Sequence, residues 1–342
     1  MKLTDIESVE PGQTLGKTIF SENGTVLLSA GVHLTVFMIS TLKRLGVTMV
    51  YLSDPSAPDI EIDEVLSEET KMMVVQQMSS TFEALRSGKP FHTKAISVTV
   101  DQLMDDVLKN QNVLVQLSDI RTEDNAMYIH SMNVCMMATM VGLNMGLNMI
   151  QLKELAVGAL LHDIGKVGLG ETQEEGRTHH AWRGFELLKL KREYSLLISH
   201  VAFQHHEAVD GSGKPRGLSG DEIHLYAKIA AVADRYDNMV NGKTEEGRRL
   251  SPHEAIERLH ALSGTVLDRE VLIEFLRIVS VYPNGISVRL SSRQTGVVVG
   301  QHRGLPGRPV VRVIEKDGEE AVEAREIDLA QHPTIFIETV LN

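Results

Sequence analysis

Apolar residues between 64 and 86 recur at Met72, Val75, Met78, Phe82 and Leu85, in steps of three or four. That period is helical, and Gly88 and Pro90 supply its stop. A second helical stretch is expected over roughly Val100 to Leu117, and a strongly helical region over about Asn125 to Val279. Both ends of the chain follow other patterns. Thr18-Ile19-Phe20 and Thr25-Val26-Leu27-Leu28 flank Asn23-Gly24, a hairpin signal. A helix from Val36 to Leu45 is expected next, with Thr35 as N-cap and Gly46 just past its end, then a strand over Thr48 to Leu52 and a linker over Asp54 to Asp59. After Tyr282-Pro283-Asn284-Gly285 come short β runs at Val288 to Leu290, Val297 to Val299 and Val310 to Ile314, a turn at Asp317-Gly318, and further β pattern at Ile327 and Ile335 to Ile337. The expected architecture is mainly α: an all-helical core with a small N-terminal α/β unit and a small C-terminal β subdomain. The boundaries fall at 1–60, 61–118, 119–285 and 286–342. The N-terminal unit carries no catalytic constellation and reads as a sensor, adaptor or dimerisation module.

Composition narrows this picture modestly. The 342 residues allow two to three domains of roughly 150 residues, and 42% hydrophobic with 23% charged residues is a globular mixture. A net charge of −12 argues against binding long nucleic acids, whose affinity rests on cations meeting phosphates. It leaves room for a small phosphate ligand held by metal ions. The single cysteine, Cys135, excludes an intrachain disulfide and fits a reducing compartment; its place in a Met-rich run marks it as core packing. The N-terminus has no signal-peptide plan. Met127 to Ile150 is interrupted by His130, Asn133, Asn144 and Asn148, so it reads as a buried helix rather than a membrane span. A cytoplasmic location is expected.

Histidine is where the chemistry shows. Seven of 14 histidines lie between His130 and His206, and imidazole is the commonest metal ligand. Leu152, Leu155, Ala159 and His162 share a helical stripe, as do Met127, His130, Val134, Met137 and Val141. Ala227, Ala230, Asp234 and Asp237 form a third stripe, of small residues that let another helix approach. Three polar side chains, His130, His162 and Asp234, thus point inward from three helices, where each is costly to bury unpaired. A shared metal centre satisfies all three at once; so do separate hydrogen bonds in the core, and spacing alone leaves both open.

The run His162-Asp163-Ile164-Gly165-Lys166 resembles the HD phosphohydrolase superfamily, whose His-Asp doublet binds divalent metal. The wider set is similar to one branch, the HD-GYP cyclic dinucleotide phosphodiesterases. It comprises His130-Ser131-Met132-Asn133-Val134, Leu160 to Lys166, His180-Ala181-Trp182-Arg183-Gly184, His205 to Pro215, Val232 to Asp237 and Tyr282 to Gly285, ordered over about 170 residues. The resemblance implies that His130, His162, Asp163, His180, His205, His206 and Asp234 ligate metal, with Asp163 bridging two ions. It implies that Lys166 meets the scissile phosphate, that Lys243 contacts ligand phosphates, and that Gly211, Gly213, Lys214 and Pro215 form a substrate-side loop. Imidazole with carboxylate and no thiolate suits iron or manganese. Two ions about 3.5–4 Å apart lower the pKa of a shared water and clamp the oxygens of an in-line displacement at phosphorus. The implied substrate is cyclic di-GMP, opened to linear pGpG and onward to GMP.

Three positions depart from the family pattern. Gly213-Lys214-Pro215 lacks the signature aromatic, only 13 residues separate Lys166 from His180, and Ala126 stands where some members carry a Glu ligand to a third ion. A two-metal centre is expected in consequence. Two other readings stand beside catalysis on cyclic di-GMP: a metal-containing regulator that binds a dinucleotide or a signalling protein without turnover, and an HD hydrolase of another nucleotide. The helices at 64–117 serve equally for a homodimer and for packing on their own chain. Histidines 179, 200, 224, 253, 260, 302 and 332 match no family position and read as surface or ordinary core residues.

Overall fold

The computed structural model describes residues 1–53, 63–167, 179–242, 249–317 and 320–341. One helix organises it. The segment Ala126–Asn144 (α4) is apolar on every side and buried from Tyr128 through Gly142, as a helix without a polar face must be. Around it pack α2 (Glu68–Arg86), α3 (Thr93–Lys109), α5 (Met149–Leu160), α8 (Leu225–Asn241) and α10 (Arg269–Leu276). The helices α6 (His180–Lys189) and α7 (Leu196–Gln204) lie against each other, α7 also meets α5 and α8, and α9 (Pro252–Ala261) meets α8. One continuous apolar core runs through these helices from Val65 to Val279. Because α2 and α3 bury their stripes against α4 and α5 of the same chain, those stripes require no second copy. Among the described residues, α4 alone is long and apolar enough to cross a membrane, and here it is the centre of the core.

Local chemistry sets the helix ends. Asn148 and Gln151 form a capping box at the start of α5, and Ser251 and Glu254 form another before Pro252 at the start of α9. Two glycines fix how closely the site-bearing elements approach. A Cβ on Gly158 would lie 2.6 Å from Val201 Cγ2, and one on Gly165 only 2.0 Å from the His180 carbonyl oxygen. Only glycine therefore lets the turn after α5 rest on the first residue of α6.

The N-terminal unit contains β1 (Lys2–Asp5) antiparallel to β4 (Met49–Leu52), the hairpin β2 (Ile19–Phe20) and β3 (Val26–Leu28), and α1 (Val36–Arg44). Thr35 caps α1 through Met38 N–H, and Gly46 follows at φ +79°, both as expected. At the hairpin, Gly24 takes φ +72° while Asn23 stays at negative φ. The C-terminal strands β5 (Ser287–Leu290), β6 (Thr295–Gly300), β7 (Val310–Asp317), β8 (Glu320–Asp328) and β9 (Ile337–Leu341) make one antiparallel sheet in the order β8-β7-β6-β5-β9. It closes over its own core of Val288, Leu290, Val298, Val311, Val313, Ile327 and Leu329.

Two expected helices are corrected. The second helix covers Thr93–Lys109 rather than Val100–Leu117. Beyond Asn110 the chain is extended, because Val115 N–H donates to the Ile278 carbonyl at 2.7 Å and Val115 accepts from Ser280 N–H at 3.0 Å. The run from Met127 to Ile150 is broken after Asn144, where Gly146 takes φ +77°, and Ile150 is exposed on α5. The linker over Asp54 to Asp59 and the Gly318 turn residue lie outside the described residues.

An ionic cluster joins the N-terminal unit to the helices. Lys17 bonds Glu64 and Ser118, while Lys71 Nζ reaches Glu64 Oε2 at 2.8 Å and Asp119 Oδ1 at 2.7 Å. Burial opposes the charge on Lys71, yet Asp119 and Glu64 hold its pKa above the ordinary lysine range. Burial likewise opposes ionisation of Asp119, and Lys71 and Lys17 hold it below the usual carboxylate range. Replacing Lys71 by Met should cost about 3–5 kcal/mol near neutrality, since it strands buried carboxylate charge. With Asp119 depressed in the fold, its stabilisation is present above the unfolded pKa of about 3.9 and lost as pH falls through the lower folded value. The deficit of Lys71→Met should therefore stay level near neutrality and shrink in acid below about pH 4, as read from urea unfolding across pH.

Candidate metal centre

Five helices and one turn deliver the site. His130 sits one turn into α4 and His162 just beyond α5. Asp163 opens the 3-10 turn Ile164–Lys166, His180 begins α6, His205 and His206 end α7, and Asp234 lies mid-way along α8. All seven converge, and all but the half-buried His206 are buried. They fall into two groups, His130, His162 and Asp234 in one and Asp163, His180, His205 and His206 in the other. In each group the candidate ligand atoms lie within 4.8 Å of one another.

Asp163 faces both. Its Oδ2 is 3.4 Å from His162 Nε2 and 3.6 Å from His130 Nε2, while Oδ1 is 3.3 Å from His180 Nε2 and 3.6 Å from His205 Nε2. Asp234 Oδ1 stands 3.1 Å from His130 Nε2 and 3.6 Å from His162 Nε2. Lys166 Nζ reaches Asp163 Oδ2 at 2.6 Å from a side chain that is 40% exposed, so it stands on the open side.

Hydrogen bonds behind the rings fix their tautomers. Nδ1 of His162 donates to the Ala159 carbonyl at 2.7 Å, Nδ1 of His205 to the Ala202 carbonyl at 2.9 Å, and Nδ1 of His130 to Asp237 Oδ2 at 2.6 Å. Carbonyl and carboxylate oxygens only accept, so each Nδ1 carries a proton, and each ring in its neutral form turns an Nε2 lone pair inward. Those Nε2 atoms then crowd one another, at 3.2 Å between His130 and His162, 3.3 Å between His180 and His205, and 3.0 Å between His180 and His206. Among the described residues, none donates a hydrogen bond to the buried Asp163 Oδ1. Lone pairs facing lone pairs around an unsatisfied carboxylate oxygen would be unfavourable in a dry core. A divalent cation is the group that satisfies them.

The electrostatics agree. Burial opposes the charge on Asp163 and Asp234, but His162 and Lys166 at the first, and His130 and His162 at the second, hold both carboxyls well below their usual range. Burial pushes His205 and His206 down, leaving them neutral. Against burial, Asp163 and Asp234 draw protons onto His162, pushed up to about 10; Asp234 and Asp237 raise His130. A cation entering there displaces those protons.

The expected substrate-side residues divide. The loop bearing Gly211, Gly213, Lys214 and Pro215 folds back on the segment that carries the paired histidines. Lys214 N–H donates to the His206 carbonyl at 3.0 Å, and a Cβ on Gly213 would lie 2.2 Å from Ala208 N. Lys214 itself is exposed. Glu207, given no role from sequence, holds this loop by accepting from Arg216 N–H and Leu218 N–H, each at 2.9 Å. Lys243 and most of the interval between Lys166 and His180 lie outside the described residues. His179 caps α6 through Ala181 N–H and stacks on His180 at 4.5 Å between ring centres, a packing role rather than a surface one. Ala126, the first residue of α4, offers no donor atom, and Asp124 is exposed.

Sequence reasoning passed over Asp237 as a functional residue. It is fully buried and gathers Arg121 Nη2 at 2.5 Å, Asn133 Nδ2 at 3.0 Å and Asn241 Nδ2 at 3.2 Å besides His130. The signal was present, since Asp237 shares the small-residue stripe of Asp234.

The comparisons with known proteins fit this site. The HD domain family matches residues 102–271, and the family described as a KOW domain associated with HD domain matches residues 287–342. A cyclic di-GMP phosphodiesterase of Pseudomonas aeruginosa is 31% identical over 292 residues, covering 80% of this chain and 69% of that protein. The chain belongs to the HD-GYP family. A second relative, the cyclic di-GMP phosphodiesterase of Thermotoga maritima, is 30% identical over 190 residues, which cover 52% of this chain and about half (50%) of that protein. A solved HDG"Y"P protein from Bdellovibrio bacteriovorus aligns over 80% of this chain and 97% of its own, at 14% identity and a TM-score of 0.49. An HD-GYP domain with this buried His/Asp cluster binds divalent metal.

Loss of the Asp237 carboxylate should act through His130. Asp237→Asn should weaken divalent-metal affinity about 10–100-fold, the usual effect of removing a group that orients a ligand, as measured by titrating metal into metal-free protein.

Proposed function

We propose that this chain is a metal-dependent phosphodiesterase that opens cyclic di-GMP to linear pGpG and carries it on to GMP. The observation that carries the reading is Asp163, whose two oxygens divide between two groups of imidazoles. The curated relatives, named for cyclic di-GMP, support the substrate. In this reading one ion is held by His130, His162 and Asp234, the other by His180, His205 and His206, with Asp163 shared. The donor set, five imidazoles and two carboxylates without a thiolate, favours iron or manganese. When bound, the ions supply an acidified water at neutral pH and positive charge against the phosphoryl oxygens.

The chain's own groups do the rest. The backbone carbonyls of Ala159 and Ala202 and the Asp237 carboxylate lock the imidazoles in the ligating tautomer. Lys166, placed on the open side against Asp163, presents an ammonium to the scissile phosphate. The Gly211–Pro215 loop and Lys243 are proposed to receive the rest of the dinucleotide, with Lys214 in the place of the signature tyrosine. The division at residues 60, 118 and 285 is proposed as the domain plan, with the first unit regulatory.

Two outcomes test the reading on purified, metal-loaded protein against a panel of cyclic dinucleotides and mononucleotides. Asp163→Ala should abolish turnover and lower bound metal, whereas Lys166→Ala should keep the metal and slow hydrolysis on the order of 10²–10³-fold, the usual cost of one transition-state donor. Metal retained by active Asp163→Ala would place the chemistry elsewhere.

Elemental analysis of loaded protein should give two ions per chain, because Ala126 has no donor for a third. Three well-occupied ions would contradict the assignment.

A further inference from the structure

Between α3 and α4 the chain passes through the N-terminal unit before entering the metal-bearing helix. Four contacts fasten it there. Ser118, buried, is bonded by Lys17, and Ile120 is part of the apolar core of the N-terminal unit with Ile6, Leu15 and Leu42. Glu123 N–H donates to the Leu45 carbonyl at 3.0 Å, and Asn125 Nδ2 donates to the Phe20 carbonyl at 2.8 Å. Residues 118–125 are thus a strap whose position the N-terminal unit dictates.

One side chain of this strap points the other way. Arg121, with only a tenth of its side chain exposed, places Nη2 2.5 Å from Asp237 Oδ1, while Asp237 Oδ2 takes the Nδ1 proton of His130 at 2.6 Å. The guanidinium supplies a full positive charge at Asp237 Oδ1, beside the amides of Asn133 and Asn241, and together these bonds hold the carboxylate plane that orients the His130 ring. The route from Lys17 and Ile120 through Arg121 and Asp237 to His130 is continuous contact between packed or hydrogen-bonded groups.

We infer that Arg121 is a positioning residue through which the N-terminal unit sets the metal affinity of the centre: displacing the strap withdraws Arg121 from Asp237 and frees the His130 ring. This rests on the reading of His130 as a metal ligand. It gives the N-terminal unit, which has no chemistry of its own, a physical means of regulating the site.

The test is a double-mutant cycle on the full chain, stripped of metal and titrated with Mn²⁺ by calorimetry, with urea midpoints to confirm folding. Arg121→Met should weaken Mn²⁺ binding about tenfold, in the range for groups that orient a ligand. Lys17→Met, far from the site, should weaken it by a smaller factor. In the Arg121→Met background, Lys17→Met should have no further effect, the signature of two residues acting in one line. Unchanged Mn²⁺ affinity in Arg121→Met, or effects that simply add, would overturn the inference. Should Arg121→Met not fold, Arg121→Gln removes the charge while keeping a polar side chain, and wild-type affinity there overturns it equally. His130→Ala is the reference: if it leaves Mn²⁺ affinity intact, the metal reading itself fails, whereas weakened binding in His130→Ala with wild-type binding in Arg121→Met sinks only the role of Arg121.

Discussion

A buried carboxylate, one of whose oxygens receives no hydrogen bond from any described residue, is the constraint around which this protein is built. Asp163 sits 2% exposed, with Nε2 of His162 at 3.4 Å, of His180 at 3.3 Å and of His130 and His205 each at 3.6 Å. Such a group is tolerable only if the surroundings supply positive charge at fixed places, and the fold is arranged to do so. The all-round apolar α4 gives the site a rigid floor, Gly165 lets the Asp163 turn touch α6, and backbone carbonyls at the ends of α5 and α7 hold the rings. Each of these features costs conformational freedom elsewhere, and each makes sense through the placement of that one carboxylate.

Most of this arrangement was legible in the residues because buried polar groups leave a periodic trace. His130, His162 and Asp234 stood out as polar positions on apolar or small-residue stripes, and all three do point into one place. The ordered motifs then extended the set to His180, His205 and His206, which have no such trace, since His180 opens its helix and the other two close theirs. Asp237 and Glu207 stayed hidden for a different reason. Asp237 does lie on the stripe of Asp234, but its arginine partner is distant in sequence, and Glu207 pairs with loop amides, so neither role follows from helical spacing. The same limit explains the misplaced second helix. Val113 to Leu117 look helical locally, and only the backbone pairing of Val115 with the chain near Ile278 draws them straight.

The terminal units were readable as β-rich by composition and turn residues, yet their attachment was not. Ile120 looks like part of the helical region by position, but its side chain completes the core of the first unit. Lys17, Glu64, Lys71 and Asp119 come from three separate stretches, and nothing in their spacing announces one cluster. Burial of that much charge at a junction is a poor source of net stability. It does confer a single allowed arrangement, which is what an interface that must hold position requires.

The candidate ligands are spread from His130 to Asp234 along the sequence and come from five helices and the turn after α5. Ions seated among them tie together segments of chain that are distant in sequence, much as covalent cross-links would, and they recognise only the assembled arrangement. Metal supply in the cell is therefore also a folding variable. When it runs short, the ends of α6 and α7 that carry His180, His205 and His206 lose a shared anchor, and the protein's lifetime before proteolysis should follow the availability of its ions.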